Sequence, residues 1–351
     1  MAKKRWAANI MNTNRTVGII ANPASGKDIR RLVAQGSIFD NYEKVNIVRR
    51  VLLGMEAAGV AEVLYMPDYF HIVEKALDRI KLTLGLRPLE MPLRGNQDDS
   101  TEAALLMAER DVACIVTLGG DGTNRAVVKG TSSVPLMPIS TGTNNVFPFM
   151  VEGTLAGLAA GVVATGAVPL DEATIPTNRL DVLINGEPKD LALVDIAVYD
   201  DVFIGSRAIW DMSKVRELFL SRASPAAIGL SSIGGCLNSS RLDDRRGMHI
   251  QLASEKDSSA VEVRAPVAPG MIEPVRISAF SLLEVGDEVP IGVAPSILAL
   301  DGEREIEVSL SKKISIRFSD QGPLVIKVDR ALKAAAQHNF FISAFAQENN
   351  E

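Results

Sequence analysis

The stretch that decides the fold is Ala113-Cys114-Ile115-Val116-Thr117-Leu118, followed by Gly119-Gly120-Asp121-Gly122-Thr123 and then Asn124-Arg125-Ala126. The apolar run 113–118 reads as a buried strand, and 124–129 carries the pattern of a short helix. Three glycines between them would let the backbone take positive φ and come close to a ligand. The N–H groups at the start of the helix could then face phosphate oxygens. A lone carboxylate beside phosphates would repel them, unless it held Mg²⁺ or took the proton of an attacking hydroxyl. The plainer alternative is a tight turn capped by Asp121.

Working outward, Val17–Ala21, Glu62–Met66, Leu89–Leu93 and Val134–Ile139 read as further strands. Val45–Ala58, Tyr69–Leu84 and Ser100–Glu109 read as helices between them. Strands alternating with helices predict βαβ units on a mostly parallel sheet, with ligands beyond the carboxyl ends of the strands. Beyond about residue 165 the helical period fades. Short extended runs replace it: 180–184, 191–199, 249–252, 261–264, 275–280, 297–300, 305–310 and 314–318. Turn residues such as Asn185-Gly186 and Asp301-Gly302 separate them. One helical stretch, Asp211–Phe219, interrupts this part. The fold class is therefore α/β: a Rossmann-like domain over 1–165, then a β-rich, sandwich-like domain over 166–321. The tail 322–351 returns to a strand and a helix and is expected to pack back on the first domain.

Composition narrows the function. The chain has 351 residues, a formal net charge of −6 and 5% aromatics. An acidic, aromatic-poor protein is a poor general binder of nucleic acid or anionic membrane. Cys114 and Cys236 form no Cys-x-x-Cys pair, which fits a reducing compartment and a cytoplasmic location. The basic, polar start reads as no signal peptide, and the apolar stretch near 155–168 is broken by Gly157, Gly161 and Gly166. The three histidines share no ligand spacing. The cluster from Arg241 to Arg246 reads as a solvated turn or an anion grip, and Ser231–Gly235 as a glycine-rich ligand loop or a plain turn.

Two more loops follow strands. Asn22-Pro23-Ala24-Ser25-Gly26-Lys27 offers Asn22, Ser25, a flexible Gly26 and a cationic Lys27. Ser140-Thr141-Gly142-Thr143-Asn144-Asn145 is six small polar residues in a row, suited to a ribose or an adenine edge, or to capping a helix. Neither is a Walker A loop, a Gly-x-Gly-x-x-Gly fingerprint or a nucleophile elbow.

These three loops, in this order, resemble the NAD kinase/diacylglycerol kinase superfamily, and most closely its ATP-NAD kinase-like acetoin-catabolism AcoX group. The resemblance implies an NAD kinase-like fold with its site in the interdomain cleft, and a tie to acetoin catabolism. It implies a kinase using ATP and Mg²⁺, the metal carried by the nucleotide rather than caged by protein, with NAD as the leading acceptor. A lipid kinase and a non-catalytic nucleotide-binding regulator are the rival readings. Asp121 would be the base. Asn22, Ser25, Gly26, Lys27, Gly119, Gly120, Gly122, Thr123, Thr141, Gly142, Thr143, Asn144 and Asn145 would bind nucleotide. Asp195, Asp301 and Glu303 would meet substrate, although Val194 stands where NAD kinases carry Asn, and Asp301-Gly302-Glu303 also reads as a charged turn. The expected partners are a nucleotide and a small molecule, with homo-oligomers usual in the family.

Overall fold

The computed structural model describes residues 15–25, 40–142, 144–201, 212–238, 246–254, 257–309 and 311–342. Its first part runs β1 (Thr16–Ala21), α1 (Asn41–Ala57), β2 (Glu62–Tyr65), α2 (Ile72–Ala76), β3 (Gly85–Pro88), α3 (Gln97–Glu109), β4 (Cys114–Gly119), α4 (Asp121–Gly130), β5 (Leu136–Ser140), α5 (Gly153–Ala164), α6 (Leu170–Ala173) and β6 (Thr174–Ile175). Together with β18 (Val325–Ile326) these strands make a seven-stranded sheet in the order β3-β2-β1-β4-β5-β18-β6. Every pairing is parallel except that of β18 with β6.

Both faces of this sheet are covered, which is why its strands read as unbroken apolar runs. Val17, Ile19, Val116 and Leu118 face α1 and α5, while Ile20, Ile115 and Leu136 face α3 and α4. Helices α1 and α5 touch backbone to backbone at Gly157, where an added Cβ would stand 2.1 Å from the Val51 carbonyl oxygen. Strand order reverses at β1, which sits between β2 and β4. The crevice beyond the ends of β1 and β4 is the place where such sheets hold ligands.

The chain continues through β7 (Arg179–Ile184), β8 (Glu187–Ala192), β9 (Asp195–Tyr199), β10 (Val215–Leu220), α7 (Leu230–Asn238), β11 (Gly247–Leu252), β12 (Val261–Ala268), β13 (Met271–Leu283), β14 (Glu288–Pro290), β15 (Ser296–Leu300), β16 (Glu303–Val308) and β17 (Ile314–Ser319). A seven-stranded sheet, β12-β13-β11-β10-β9-β15-β16, packs on a four-stranded one, β14-β17-β7-β8. Ile196, Phe219 and Leu298 of the larger sheet meet Val182, Ile316 and Phe318 of the smaller in one core. After β18, α8 (Val328–Gln337) contributes Ala331 and Ala335 to the core shared with α5.

Five local expectations need correction. The 211–219 stretch is not a helix: a short turn leads into β10, whose Leu218-Phe219-Leu220 run is buried on both faces and so mimics a helical pattern. The 191–199 run is two strands in different sheets, broken at Leu193-Val194. The 69–84 helix stops at Ala76 and gives way to one 3₁₀ turn, after which Ile80 is extended and Leu82 reaches the core from irregular backbone. The strand expected at 89–93 lies earlier, at β3, an edge position that tolerates Pro88. The Ser231–Gly235 stretch is part of α7, where Gly235 lets the helix press on the Ser224–Pro225 backbone. Residues 241–245 of the mixed-charge cluster lie outside the described residues. Among the described residues, no helix is long and apolar enough to cross a membrane.

Candidate active site

The glycine loop is tighter than its sequence suggests. Gly120 caps α4 in an extended conformation, and the helix begins at Asp121, three residues before the expected start. None of Gly119, Gly120 and Gly122 takes a positive φ. Glycine is needed at the first two for room: a Cβ on Gly119 would lie 2.4 Å from the Thr123 Cβ, and one on Gly120 would lie 2.7 Å from the Asn145 Oδ1. The three ligand loops are thus packed against one another. Asn124, fully buried, accepts from the Thr117 hydroxyl at 2.7 Å and donates to the Gly120 carbonyl at 2.9 Å, fixing the turn from below.

Asp121 stands at the first helical position with part of its surface on the cleft. Its carboxylate accepts from the Phe147 N–H at 2.7 Å and from the Val146 N–H at 3.1 Å. Burial, and then the nearby Asp301 carboxylate, push its pKa up to about 7, against the pull of those two amides and of Arg222. The Arg222 guanidinium stacks 4.9 Å above the Phe147 ring centroid. A carboxyl poised near neutrality on a cleft wall suits proton transfer.

The loop after β1 joins the same cluster. Asn22 donates to the Thr123 hydroxyl at 2.9 Å, and the Ser25 and Thr141 hydroxyls lie 3.0 Å apart. Asn145 donates to the Ser140 hydroxyl at 2.8 Å, and Ser140 in turn donates to the Gly142 carbonyl at 2.8 Å. Asn144 lines the cleft beside Asn145. Gly26, Lys27 and Thr143 lie outside the described residues.

The other wall comes from the β-rich part. Asp301 and Gly302 form the positive-φ turn between β15 and β16. The Asp301 carboxylate is turned inward, with no side-chain exposure. It accepts from the N–H groups of Leu193 at 3.0 Å, Val194 at 2.8 Å and Asp195 at 3.2 Å. Burial raises its pKa, partly offset by Arg125 and by these amides. Asp301 therefore shapes the break between β8 and β9 and places Asp195 on the cleft. Glu303 accepts from the Gln97 amide of α3, and a Cβ on Gly122 would lie 3.2 Å from its Oε1. Asp121, Asp195 and Glu303 line one cavity of about 1640 Å³ between the two parts of the chain, and Asp301 stands behind its wall with its carboxylate on the Leu193–Asp195 amides.

That geometry agrees with what the chain is similar to. Residues 17–167 match the model of the ATP-NAD kinase N-terminal domain, and residues 178–321 match that of the acetoin catabolism protein X C-terminal domain. Acetoin catabolism protein X of Cupriavidus necator is 37% identical over 338 residues, which cover 93% of this chain and 94% of the relative. The chain belongs to the acetoin catabolism protein X family. Among solved structures, yeast NADH kinase complexed with NADH is 13% identical, with a TM-score of 0.46 over 97% of this chain and 91% of that one. A candidate diacylglycerol kinase from Bacillus anthracis is 14% identical, with a TM-score of 0.43 over 90% and 98%.

In this member of the acetoin catabolism protein X family, three cations shape the site that sequence reasoning missed. Arg222 is one. Arg125 is another, buried where α4 meets the β-rich part, 3.5 Å from Asp190 and 3.9 Å from Asp301. The third, Lys44, is fully buried in α1 and donates to the carbonyls of Asn22 at 2.8 Å and Ser25 at 2.6 Å and to the Asn41 side chain at 3.0 Å. A signal for it existed: Lys44 precedes Val48, Val51, Leu52 and Met55 on the buried stripe of α1, where a solvated lysine has no place. Lys44→Met should strand those acceptors and lower stability by at least about 1–3 kcal/mol. An unchanged midpoint in urea unfolding would remove Lys44 as the support of this loop. Among the described residues no three His, Cys, Asp or Glu side chains gather to hold a metal.

Proposed function

We propose that this protein is a phosphotransferase, moving a phosphoryl group from ATP to the hydroxyl of a small molecule in the interdomain cleft. The observation that carries the reading is Asp121: a carboxyl pushed up to about 7 at the N-terminus of α4, inside the packed glycine loop. The helix N-terminus and its dipole favour a polyphosphate at Gly122 and Thr123. Asn22, Ser25 and Thr141, already joined by hydrogen bonds, form the adjoining wall. Asp121 would accept the proton of the attacking hydroxyl, its oxygens aimed by the Val146 and Phe147 amides. Mg²⁺ arriving on the nucleotide would neutralise phosphate charge. The remaining acceleration would come from positioning and from fixed dipoles in a largely desolvated cleft. NAD has weaker support as acceptor: at the position of the adenine-binding Asn, Val194 is fully buried with an apolar side chain, its N–H given to Asp301 and its carbonyl accepting from the Ser221 N–H.

Thermal unfolding with ATP, ADP and NAD, each with and without Mg²⁺, tests this. ATP at a hundred times its Kd should stabilise the fold by about 2.7 kcal/mol. A protein that no nucleoside triphosphate stabilises would sink the phosphotransferase reading. Stabilisation without phosphate transfer to any alcohol would favour a nucleotide-binding regulator.

A further inference from the structure

We propose that Lys44 is a tethered monovalent cation, its ammonium filling a cage of neutral oxygens beneath the Asn22–Ser25 loop and positioning that loop for the nucleotide. The nucleotide rests on the phosphotransferase reading; the cage does not. Lys44 lies in the first turn of α1 and is fully buried. Its Nζ donates to the carbonyls of Ser25 at 2.6 Å and Asn22 at 2.8 Å and to the Asn41 Oδ1 at 3.0 Å, with the Pro23 carbonyl at 3.4 Å. An ammonium has three N–H donors, one for each of the three nearer oxygens. Carbonyl oxygens converging on one point are also how proteins hold K⁺, in place of its hydration shell. The first turn of a helix disfavours a cation, and burial adds to the cost. The four oxygens offset both.

What the ammonium holds is the hub of the three ligand loops. Carbonyl dipoles turned onto one point repel one another unless a cation sits among them. With Lys44 there, the backbone of Asn22 is fixed. Its side chain then accepts from the Ala24 N–H at 2.9 Å and donates to the Thr123 hydroxyl of the glycine loop at 2.9 Å. The Ser25 hydroxyl donates to the Asn22 carbonyl at 2.8 Å, which leaves the Thr141 hydroxyl, 3.0 Å away on the loop after β5, to donate to Ser25. Asn22, Ser25 and Thr123 line the cleft, and Lys44 stays buried behind them. Lys44 is therefore a positioning residue that acts on a ligand through these three. It also sets a fixed positive charge behind the polar end of a cleft lined by Asp121, Asp195 and Glu303, which favours a polyphosphate there. A neutral amide of similar length has two N–H donors for four oxygens and brings no charge.

The test is Lys44→Ala in the full chain, compared in KCl, NH₄Cl and tetramethylammonium chloride at equal ionic strength. K⁺ and NH₄⁺ are small enough to enter the vacated cage, whereas tetramethylammonium is larger and has no N–H. The thermal midpoint of the variant should be higher in KCl or NH₄Cl than in tetramethylammonium chloride, by about 2 °C or more beyond any difference in the wild type. ATP affinity, read by calorimetry, should fall about tenfold or more in tetramethylammonium chloride and recover in K⁺ or NH₄⁺. A lysine that is merely structural predicts the same loss of stability in all three salts, and that outcome would overturn the proposal. Should Lys44→Ala not fold, Lys44→Gln keeps the length without the charge. It should weaken ATP binding about tenfold in every salt, and undiminished binding would overturn the proposal equally. Recovery of Lys44→Ala by K⁺ in a protein that ATP never stabilises would uphold the tethered cation and sink only the phosphotransferase reading.

Discussion

Asp121→Asn is expected to lower turnover by about 10²- to 10⁴-fold while nucleotide affinity changes little. The amide keeps the size of the carboxyl and an oxygen for the Val146 and Phe147 N–H groups, so the loop retains its shape. What it loses is the ability to take a proton. The pH profile sharpens the test. With its pKa raised to about 7, wild-type kcat/KM should climb as pH rises towards 7 and level off above it. After burial, the largest cause of that rise is the Asp301 charge. Asp301→Asn should therefore move the midpoint to lower pH. Stability has the opposite sign. The folded Asp121 holds its proton more tightly than an unfolded aspartate of pKa about 4. Its contribution is full below about pH 4 and is lost as pH rises through about 7, and Asp121→Asn should flatten that slope. Equal turnover in Asp121→Asn, or a profile with no inflection near neutrality, would take this residue out of the chemistry.

The largest structural effect is expected at Arg125. Its side chain is 1% exposed and sits between two carboxylates, Asp190 and Asp301, with Gln97 at 3.4 Å. Arg125→Met keeps the bulk and removes the charge, leaving the buried Asp301 carboxylate without its counter-charge, while Asp190 keeps Lys129 at 3.0 Å. Breaking a buried pair from one side costs about 3–5 kcal/mol, far more than an exposed pair would. Denaturant unfolding should show that loss, and the double variant Arg125→Met/Asp301→Asn should lose less than the two single losses added together. Strict additivity would mean that the two groups are not coupled. The consequence for the site is direct. Arg125 lies four residues after Asp121 on α4, and Asp301 carries the Leu193–Asp195 break, so this pair sets one wall of the cleft against the other.

Much of this is legible in the sequence, and the remainder is hidden there for physical reasons. The strands around Val17, Val63, Ile115 and Met137 announce themselves because both faces of their sheet are covered, which leaves little room for polar residues. The same property misled at Leu218-Phe219-Leu220, because a strand buried on both faces has no alternation to distinguish it from a helix. Asp121 and its loop stood out because glycines and a carboxylate are costly after a buried strand and need a reason. The roles of those glycines were not legible: sequence suggests unusual dihedrals, and the structure shows crowding by Thr123 and Asn145. Arg125 and Arg222 act through partners distant in the chain, Asp301 lying 176 positions from Arg125, and no local pattern encodes such a pairing, whereas Lys44 is marked locally by its place on the buried stripe of α1.

The pairing of β6 with β18 has a further consequence. Ile175 and Val325 are opposite one another across two antiparallel strands, so the chain leaves the first sheet and re-enters it at neighbouring points. Everything between them, including the β-rich wall of the cleft and the turn that presents Asp195, is spliced in at a single seam. An insert whose ends already touch can be exchanged without rethreading its host. The glycine loop can thus remain constant while the wall facing it is replaced as one contiguous cassette, which makes chimeras joined at this seam the natural way to exchange that wall between relatives.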